Sequence, residues 1–335
     1  MTMARVWRGR GRNRGAALLT AMLTVALVAT FAAAAVWQQW RSIEVETAER
    51  ARVQSAWILT GALDWARLLL REDHFGAGLN GPDHLGEPWA VPLQEARLSS
   101  FLAADRNNTA DTGPEVMDAF LSGQIVDLQS LLNVSKLVQN GKVSQVDFDS
   151  FARLFELLGL PPAQLESMAE NLRIASDRSA GNRSSPQAPL MPQTVEQLVW
   201  LGMPPETVAA LQPYVTVLPS QNTTVNLNTA SAEVIYAAVP GLSMAEAQQL
   251  VAARERAAFR RVSDASQLLS GGAQRLPEGQ AVGISSGFFE IRARLRLEQL
   301  TVEERSLVQR SGLDVAVLRR ERGAAPPGPL PQANR

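Results

Sequence analysis

The sequence predicts an α+β protein in which one long N-terminal helix packs on a small antiparallel sheet and a large all-α insertion interrupts the sheet. Three observations carry this. Residues 16–40 form an uncharged apolar run of membrane-spanning length. Residues 147–283 repeat a unit of apolar helix, Gly and second helix. Near the C-terminus, FFEIRARLRL alternates apolar and charged residues with a period of two, which gives a strand one dry face and one charged face.

The first element is AALLTAMLTVALVATFAAAAVWQQW, Ala16 to Trp40. A helix needs roughly 20 apolar residues to cross a hydrocarbon core of about 30 Å. The preceding residues 1–15 carry Arg5, Arg8, Arg10, Arg12 and Arg14 and no acid, which holds that end in the cytoplasm. The expectation is a single-pass membrane protein with its N-terminus in the cytoplasm and everything after Trp40 on the far side. A secretory signal is cut after its apolar region, whereas here the best small-residue junction, Gly15 followed by Ala16, precedes it. Two readings of these residues stay open. One is an uncleaved signal anchor. The other is a resemblance to type IV prepilins, which implies a prepilin peptidase cutting between Gly15 and Ala16 and methylation of the new N-terminus.

Composition narrows the chemistry. Without the five leader arginines, 27 basic residues face 33 acidic ones, about minus 6, a balance that does not attract phosphate backbones without a concentrated basic patch. There is no cysteine, hence no disulfide and no thiolate chemistry, and the two histidines, His74 and His84, leave little room for imidazole catalysis. No nucleophile with a neighbouring base, phosphate-binding glycine loop or convincing ligand cluster is legible, so neither an enzyme nor a metal site is expected.

After Trp40 the helix signal continues as Ala48, Arg52, Ala56, Leu59, Leu63, Ala66 and Leu70 at steps of three or four, which predicts helix to about Asp73 with Trp57 and Trp65 packed on the following domain. The Gly, Pro and Asn of FGAGLNGPDHLGEPWAVPL then predict a loop containing Asp83, His84, Leu85, Gly86, Glu87, Pro88 and Trp89, fastened by hydrogen bonds rather than built for catalysis. DRNNTADTGP, residues 105–114, starts like a calcium loop. However, Ala110 replaces the sharp-turn Gly and Val116 the bidentate Glu, so it reads as a solvated loop. A strand is expected at Gln124–Gln129, followed by a turn and a short helix.

Three helical hairpins follow from Asp147, with turns at Gly159-Leu160-Pro161-Pro162, Gly202-Met203-Pro204-Pro205 and Gly241-Leu242-Ser243. Gly gives the left-handed exit from one helix, and Pro suits the first turn of the next. Residues 176–193 are polar and read as an exposed loop. The third hairpin resembles the helix-hairpin-helix unit of membrane-anchored DNA-uptake receptors, in which a helix start offers amide groups to phosphate. Ser243 replaces the second glycine, Met244 and Glu246 follow, and Arg254, Arg256, Arg260 and Arg261 lie at the far end of the second helix. The hairpin is therefore read as packing, with a DNA receptor as the rival function. Three strands, FFEIRARLRL, TVEERSLVQR and DVAVLRRERG, and a flexible tail complete the chain. The expected divisions are 1–15 leader, 16–73 helix, 74–146 first part of the sheet domain, 147–283 helical insertion, 284–322 returning strands and 323–335 tail.

The combination resembles the K-class minor pseudopilins of type II secretion (general secretion pathway protein K). DHLGEPWA resembles a motif just after the first helix of that family. Gly123, Ile125, Asp127, Gln129 and Asn133 fit its G-x-I-x-D-x-Q run, and Asn226, Leu227, Asn228, Thr229 and Ala230 its N-V-N-T-A-like segment. The resemblance implies a pilin-like sheet and a tip subunit of the inner-membrane pseudopilus. It also implies assembly with the I-class and J-class minor pseudopilins and other pseudopilus subunits, initiation of the filament, and support for export of folded proteins through the secretin; no nucleic acid is expected. Two departures stand out. Pilins carry a glutamate five residues after the cut, where this chain has Thr20. Family members also carry an acidic, calcium-associated stretch between the first two hairpins, where this chain has NLRIASDRSAGN. The expectation is no cofactor, with calcium binding absent or much weakened.

Overall fold

A computed structural model describes residues 13–76, 81–98, 119–177, 179–183, 185–270, 276, 281–297 and 300–324. Residues 1–12, the calcium-like segment 105–114 and residues 325–335 of the tail lie outside these. The chain divides into two compact units, Met1–Trp57 and Ile58–Arg335.

The first helix, α1, spans Asn13–Gly76. In the first unit it is long and apolar enough to cross a membrane, and its side chains are exposed from Ala16 to Arg50. Three hydroxyls inside the apolar run turn back onto their own helix: Thr20 donates to the carbonyls of Ala16 (3.1 Å) and Ala17 (2.9 Å), Thr24 to Ala21 (2.9 Å) and Thr30 to Leu27 (2.8 Å). Lipid offers no hydrogen bonds, so this internal pairing makes the hydroxyls tolerable there. The rings of Trp37 and Trp40 lie 5.5 Å apart where the uncharged run ends, as aromatic residues do at a membrane surface. Trp57 is 73% exposed, contrary to the packing expected of it.

In the second unit, β1 (Leu93–Arg97), β2 (Ala119–Asp127), β9 (Phe288–Leu297), β10 (Leu300–Ser311) and β11 (Asp314–Ala324) form one antiparallel sheet in the order β1-β2-β9-β10-β11. Strand β2 therefore pairs with a strand some 160 residues later in the chain, Ile125 opposite Ile291. Everything between is inserted. Leu63, Ala66 and Leu70 of α1 bury against Trp89, Phe289, Ile291, Val308 and Val315. Trp65, expected to be buried with them, is instead 42% exposed. On the same helix-facing side Glu304 is almost fully buried, held by Arg320 and by both Nε (2.9 Å) and Nη2 (2.6 Å) of Arg322 across the β10–β11 ladder. Between these strands Ser311 pairs with Asp314 around Gly312 at φ +60°, a two-residue turn that needs a left-handed position.

The insertion contains β3 (Leu132–Asn133), β4 (Val138–Gln139), β5 (Lys142–Val143), α2 (Gln145–Leu158), α3 (Pro162–Ser176), α4 (Ala180–Arg183), α5 (Pro205–Leu211), β6 (Val215–Thr216), β7 (Val225–Asn226), α6 (Ala232–Ala238), α7 (Met244–Arg256), α8 (Val262–Ser266) and β8 (Val282–Gly283). Its apolar faces share one core that includes Phe151, Phe155, Leu165, Leu172, Leu198, Leu211, Ile235 and Leu250. Gly159, Gly202 and Gly241 all have positive φ. At the first, the Leu160 N–H returns to Phe155 O (2.8 Å), closing the helix end as such glycine caps do.

Several boundaries differ from the sequence expectation. The strand expected at 124–129 begins at Ala119 and stops at Asp127, because the Asp127 carboxylate accepts the Gln129 N–H (2.7 Å) and turns the chain into a 3-10 segment, Leu128–Ser130. The first arm of the second hairpin, Glu196–Leu201, is 3-10 rather than α. Within the expected loop 176–193, α4 forms one short turn. Strand β11 extends to Ala324, beyond the expected start of the tail.

Candidate functional site

Where the insertion leaves and re-enters the sheet, polar residues from five segments meet in one buried cluster. Asp127, at the end of β2, is its hub. Its Oδ2 accepts the hydroxyls of Thr229 (2.6 Å) and Ser286 (2.6 Å) and the amide of Asn226 (3.1 Å), while Oδ1 takes the Gln129 N–H. Asn226 also reaches Asp83 O (3.1 Å), and Gln129 ties both ends of the insertion by accepting Gly287 N–H (2.7 Å) and donating to Thr224 O (2.9 Å). Buried polar groups are costly unless paired. Here the pairing joins β2, the insertion and the start of β9.

The DHLGEPWA loop closes the other side. Asp83 accepts the Ser286 N–H (2.7 Å) through Oδ2 and pairs through Oδ1 with Nη2 of Arg310, a β10 residue whose guanidinium also donates to Ser286 O (2.9 Å) and Leu70 O (3.3 Å) and lies 3.4 Å from Asp73. The same guanidinium sits 4.9 Å above the ring of Phe289. His84 accepts the Gly86 N–H at Nδ1 (3.1 Å). Oε2 of Glu87 accepts the His84 N–H (2.9 Å) and the indole N–H of Trp89 (2.7 Å). Pro88 opens a 3-10 turn that drives Trp89 into the core, edge-on to Phe289 at 5.2 Å, whereas Leu85 points outward, 43% exposed.

Burial, opposed by the hydrogen bonds of Ser286 and Thr229, pushes the Asp127 carboxyl up to about 6. Burial likewise pushes Glu87 up to about 7 against the N–H groups of His84 and Trp89. Asp73 is raised by burial and by Asp83, and Arg310 offsets part of this. Asp73, Asp83 and Glu87 place one carboxylate oxygen each within 4.8 Å of one another. Arg310 pairs with two of them, Asp83 and Asp73.

The other predicted residues stand apart. Gly15, Ala16 and Thr20 are on α1 in the first unit, and Gly159, Gly202 and Gly241 are at turns of the insertion. At Gly241 the following helix start is occupied from within. Ser243 accepts the Glu246 N–H (3.2 Å) while Glu246 accepts both the Ser243 N–H (2.9 Å) and hydroxyl (2.8 Å), so a carboxylate stands where a phosphate would dock. Of the basic cluster, Arg254 is turned inward, donating to Leu227 O (2.7 Å) and Ala230 O, and burial lowers it to about 10. Sequence reading missed Arg310 and Ser286. Both lie in ordinary strand or loop context; β9 pairing with β2 brings Ser286 to Asp127, and β10 pairing with β9 brings Arg310 to Asp83.

An apolar N-terminal helix whose later turns pack on a small antiparallel sheet, with a clamped helical insertion, fits a single-pass membrane anchor carrying a pilin-like domain. Family models described as "Type II secretion system (T2SS), protein K" match residues 130–220 and 225–285. Type II secretion system protein K of Pseudomonas aeruginosa is 28% identical over 280 residues, covering 78% of each chain. The same protein of Klebsiella pneumoniae is 26% identical, covering 93% of this chain and 97% of the relative. A solved structure of the GspK-GspI-GspJ complex from enterotoxigenic Escherichia coli shares the fold, with a TM-score of 0.62 at 19% identity over 83% of this chain and 99% of that chain. By sequence and by fold the chain is therefore similar to protein K of type II secretion systems.

Proposed function

We propose that this minor pseudopilin caps the tip of the type II secretion pseudopilus and helps to start the filament that moves folded proteins out through the secretin. The observation that carries the tip position is Thr20. Its hydroxyl is satisfied by Ala16 O and Ala17 O of its own helix, whereas a glutamate in lipid demands a partner on a neighbouring subunit. A subunit with nothing above it has no such partner to offer. The helical insertion adds bulk that a further subunit would have to clear. In this reading α1 spans the inner membrane with its N-terminus cytoplasmic, Trp37 and Trp40 lie at the periplasmic headgroups, and prepilin peptidase cuts between Gly15 and Ala16. The protein acts by assembly rather than by catalysis.

The partners proposed are the I-class and J-class minor pseudopilins, since the structural neighbour is a complex with GspI and GspJ. Co-expression of the three followed by purification should yield a stable ternary complex, and mass spectrometry of this chain in it should find Ala16 as first residue. Failure of the three to co-purify would overturn the partner assignment, and an intact leader would return α1 to a plain anchor. In place of the family's acidic stretch, Asp177 is engaged by its own neighbour, accepting the Ser179 N–H (2.9 Å) and hydroxyl (3.1 Å). A single carboxylate is too little for a calcium cage, and micromolar calcium binding in a calorimetric titration would refute the absence proposed here. The rival DNA-receptor reading is not supported: the matched families and relatives are all protein K, and Glu246 occupies the helix start.

A further inference from the structure

We propose that the clamp between the DHLGEPWA loop and the sheet is proton-linked, so that the loop docks more tightly as the surrounding pH falls from about 8 toward 5.5. Asp73 on α1, Asp83 and Glu87 in the loop and Asp127 on β2 bring four carboxylates to the junction, and Arg310 on β10 pairs with two of them, Asp83 and Asp73. The insertion contributes Asn226, Thr229 and Ser286, none charged. His84 faces Glu87 through Nε2 at 3.8 Å, too far for a hydrogen bond, and its Nδ1 is engaged by Gly86. One cation cannot balance three buried carboxylates and a half-buried fourth, and a protein relieves such an excess by retaining a proton.

Glu87 is where the proton rests. Both backbone and indole donors converge on its Oε2, while Oε1 lies 3.8 Å from His84 Nε2, beyond hydrogen-bond reach, and can carry a hydrogen. Its carboxyl is shifted upward, as are those of Asp127 and Asp73, so the docked loop binds a proton more firmly than a released one would. A raised carboxyl favours the docked state below its unfolded value, and that advantage is lost as pH rises through the raised one. For Glu87 the window runs from its ordinary value of 4.5 to about 7. The proposal is independent of the protein's place in a filament.

The test is hydrogen exchange of peptide 81–98 in the full chain in lipid nanodiscs, corrected for the intrinsic pH dependence of exchange. Protection of this peptide should rise about tenfold between pH 8 and pH 5.5, the effect of a one-unit shift at one group. Glu87→Gln, which fixes the neutral form, should be well protected at both values and lose the dependence. Protection that is flat or falls on acidification overturns the proposal, as does a Glu87→Gln protein retaining the full wild-type dependence. A wild-type arm does not depend on that variant's folding. Millimolar calcium at pH 8 should leave protection unchanged, and a rise would assign the balancing charge to a cation instead of a proton.

Discussion

Replacing Arg310 with Met is expected to destabilise the sheet domain by about 3–5 kcal/mol near pH 7.5, the cost typical of removing one partner from a buried ion pair. The residue is 7% exposed, and its guanidinium serves Asp83, Asp73, Ser286 O and Leu70 O at once. Met fills much of the volume but leaves the buried Asp83 and the half-buried Asp73 with no cation. Arg310→Lys should recover only part of the loss, because a single ammonium cannot reproduce a fork that reaches two carboxylates and two carbonyls. Urea unfolding followed by circular dichroism measures both. A loss under about 1 kcal/mol for the Met variant would show that the pair contributes little beyond packing. Against a typical total stability of about 5–15 kcal/mol, the expected loss is a large fraction.

Asp127→Ala should cost about 3 kcal/mol or more by a different route. No large volume is lost, but the N–H of Gln129, the amide of Asn226 and the hydroxyls of Thr229 and Ser286 all lose an acceptor in a site closed to water. Each unmet donor costs about 1–3 kcal/mol, reduced where a hydroxyl can rotate to another partner. Because the four donors come from both ends of the insertion, the variant should also raise exchange in residues 221–230 and 281–287 before the core of α2 and α3 is affected. Uniform loss of protection across the insertion would argue instead that Asp127 supports the whole fold and not its junction.

These two residues mark the limit of what could be read in advance. Asp127 was legible as part of G-x-I-x-D-x-Q, and its neighbours Asn226 and Thr229 as part of a second motif. Nothing in either segment said that they touch. The spacing of nearly 100 residues between them carries no local signal, since side-chain periodicity reports only which face of an element is dry. Arg310 was invisible for the same reason: in TVEERSLVQR it reads as one more charge on an alternating strand. The misplacements have a similar origin. Trp57 and Trp65 lie on a helix whose periodicity marks an apolar face, yet the face that packs is the one carrying Leu63, Ala66 and Leu70, and both indoles remain exposed. Strand β2 ends two residues earlier than expected because the Asp127 side chain competes for the backbone, a local event decided by what else the carboxylate can reach.

The sequence by itself determined the elements whose cause is local. The uncharged run of α1 follows from composition, the glycine turns from the need for positive φ, the strands after 288 from their two-residue period, and the family from motifs in the order they occur. Tertiary structure alone decided which polar residues are buried together. The pairing of β2 with β9 closes the chain around the insertion and brings Asp127 to Ser286, and β10 beside β9 brings Arg310 to Asp83 and Asp73. Charge burial depends on distance in space and on exclusion of water, neither of which is encoded within any one segment.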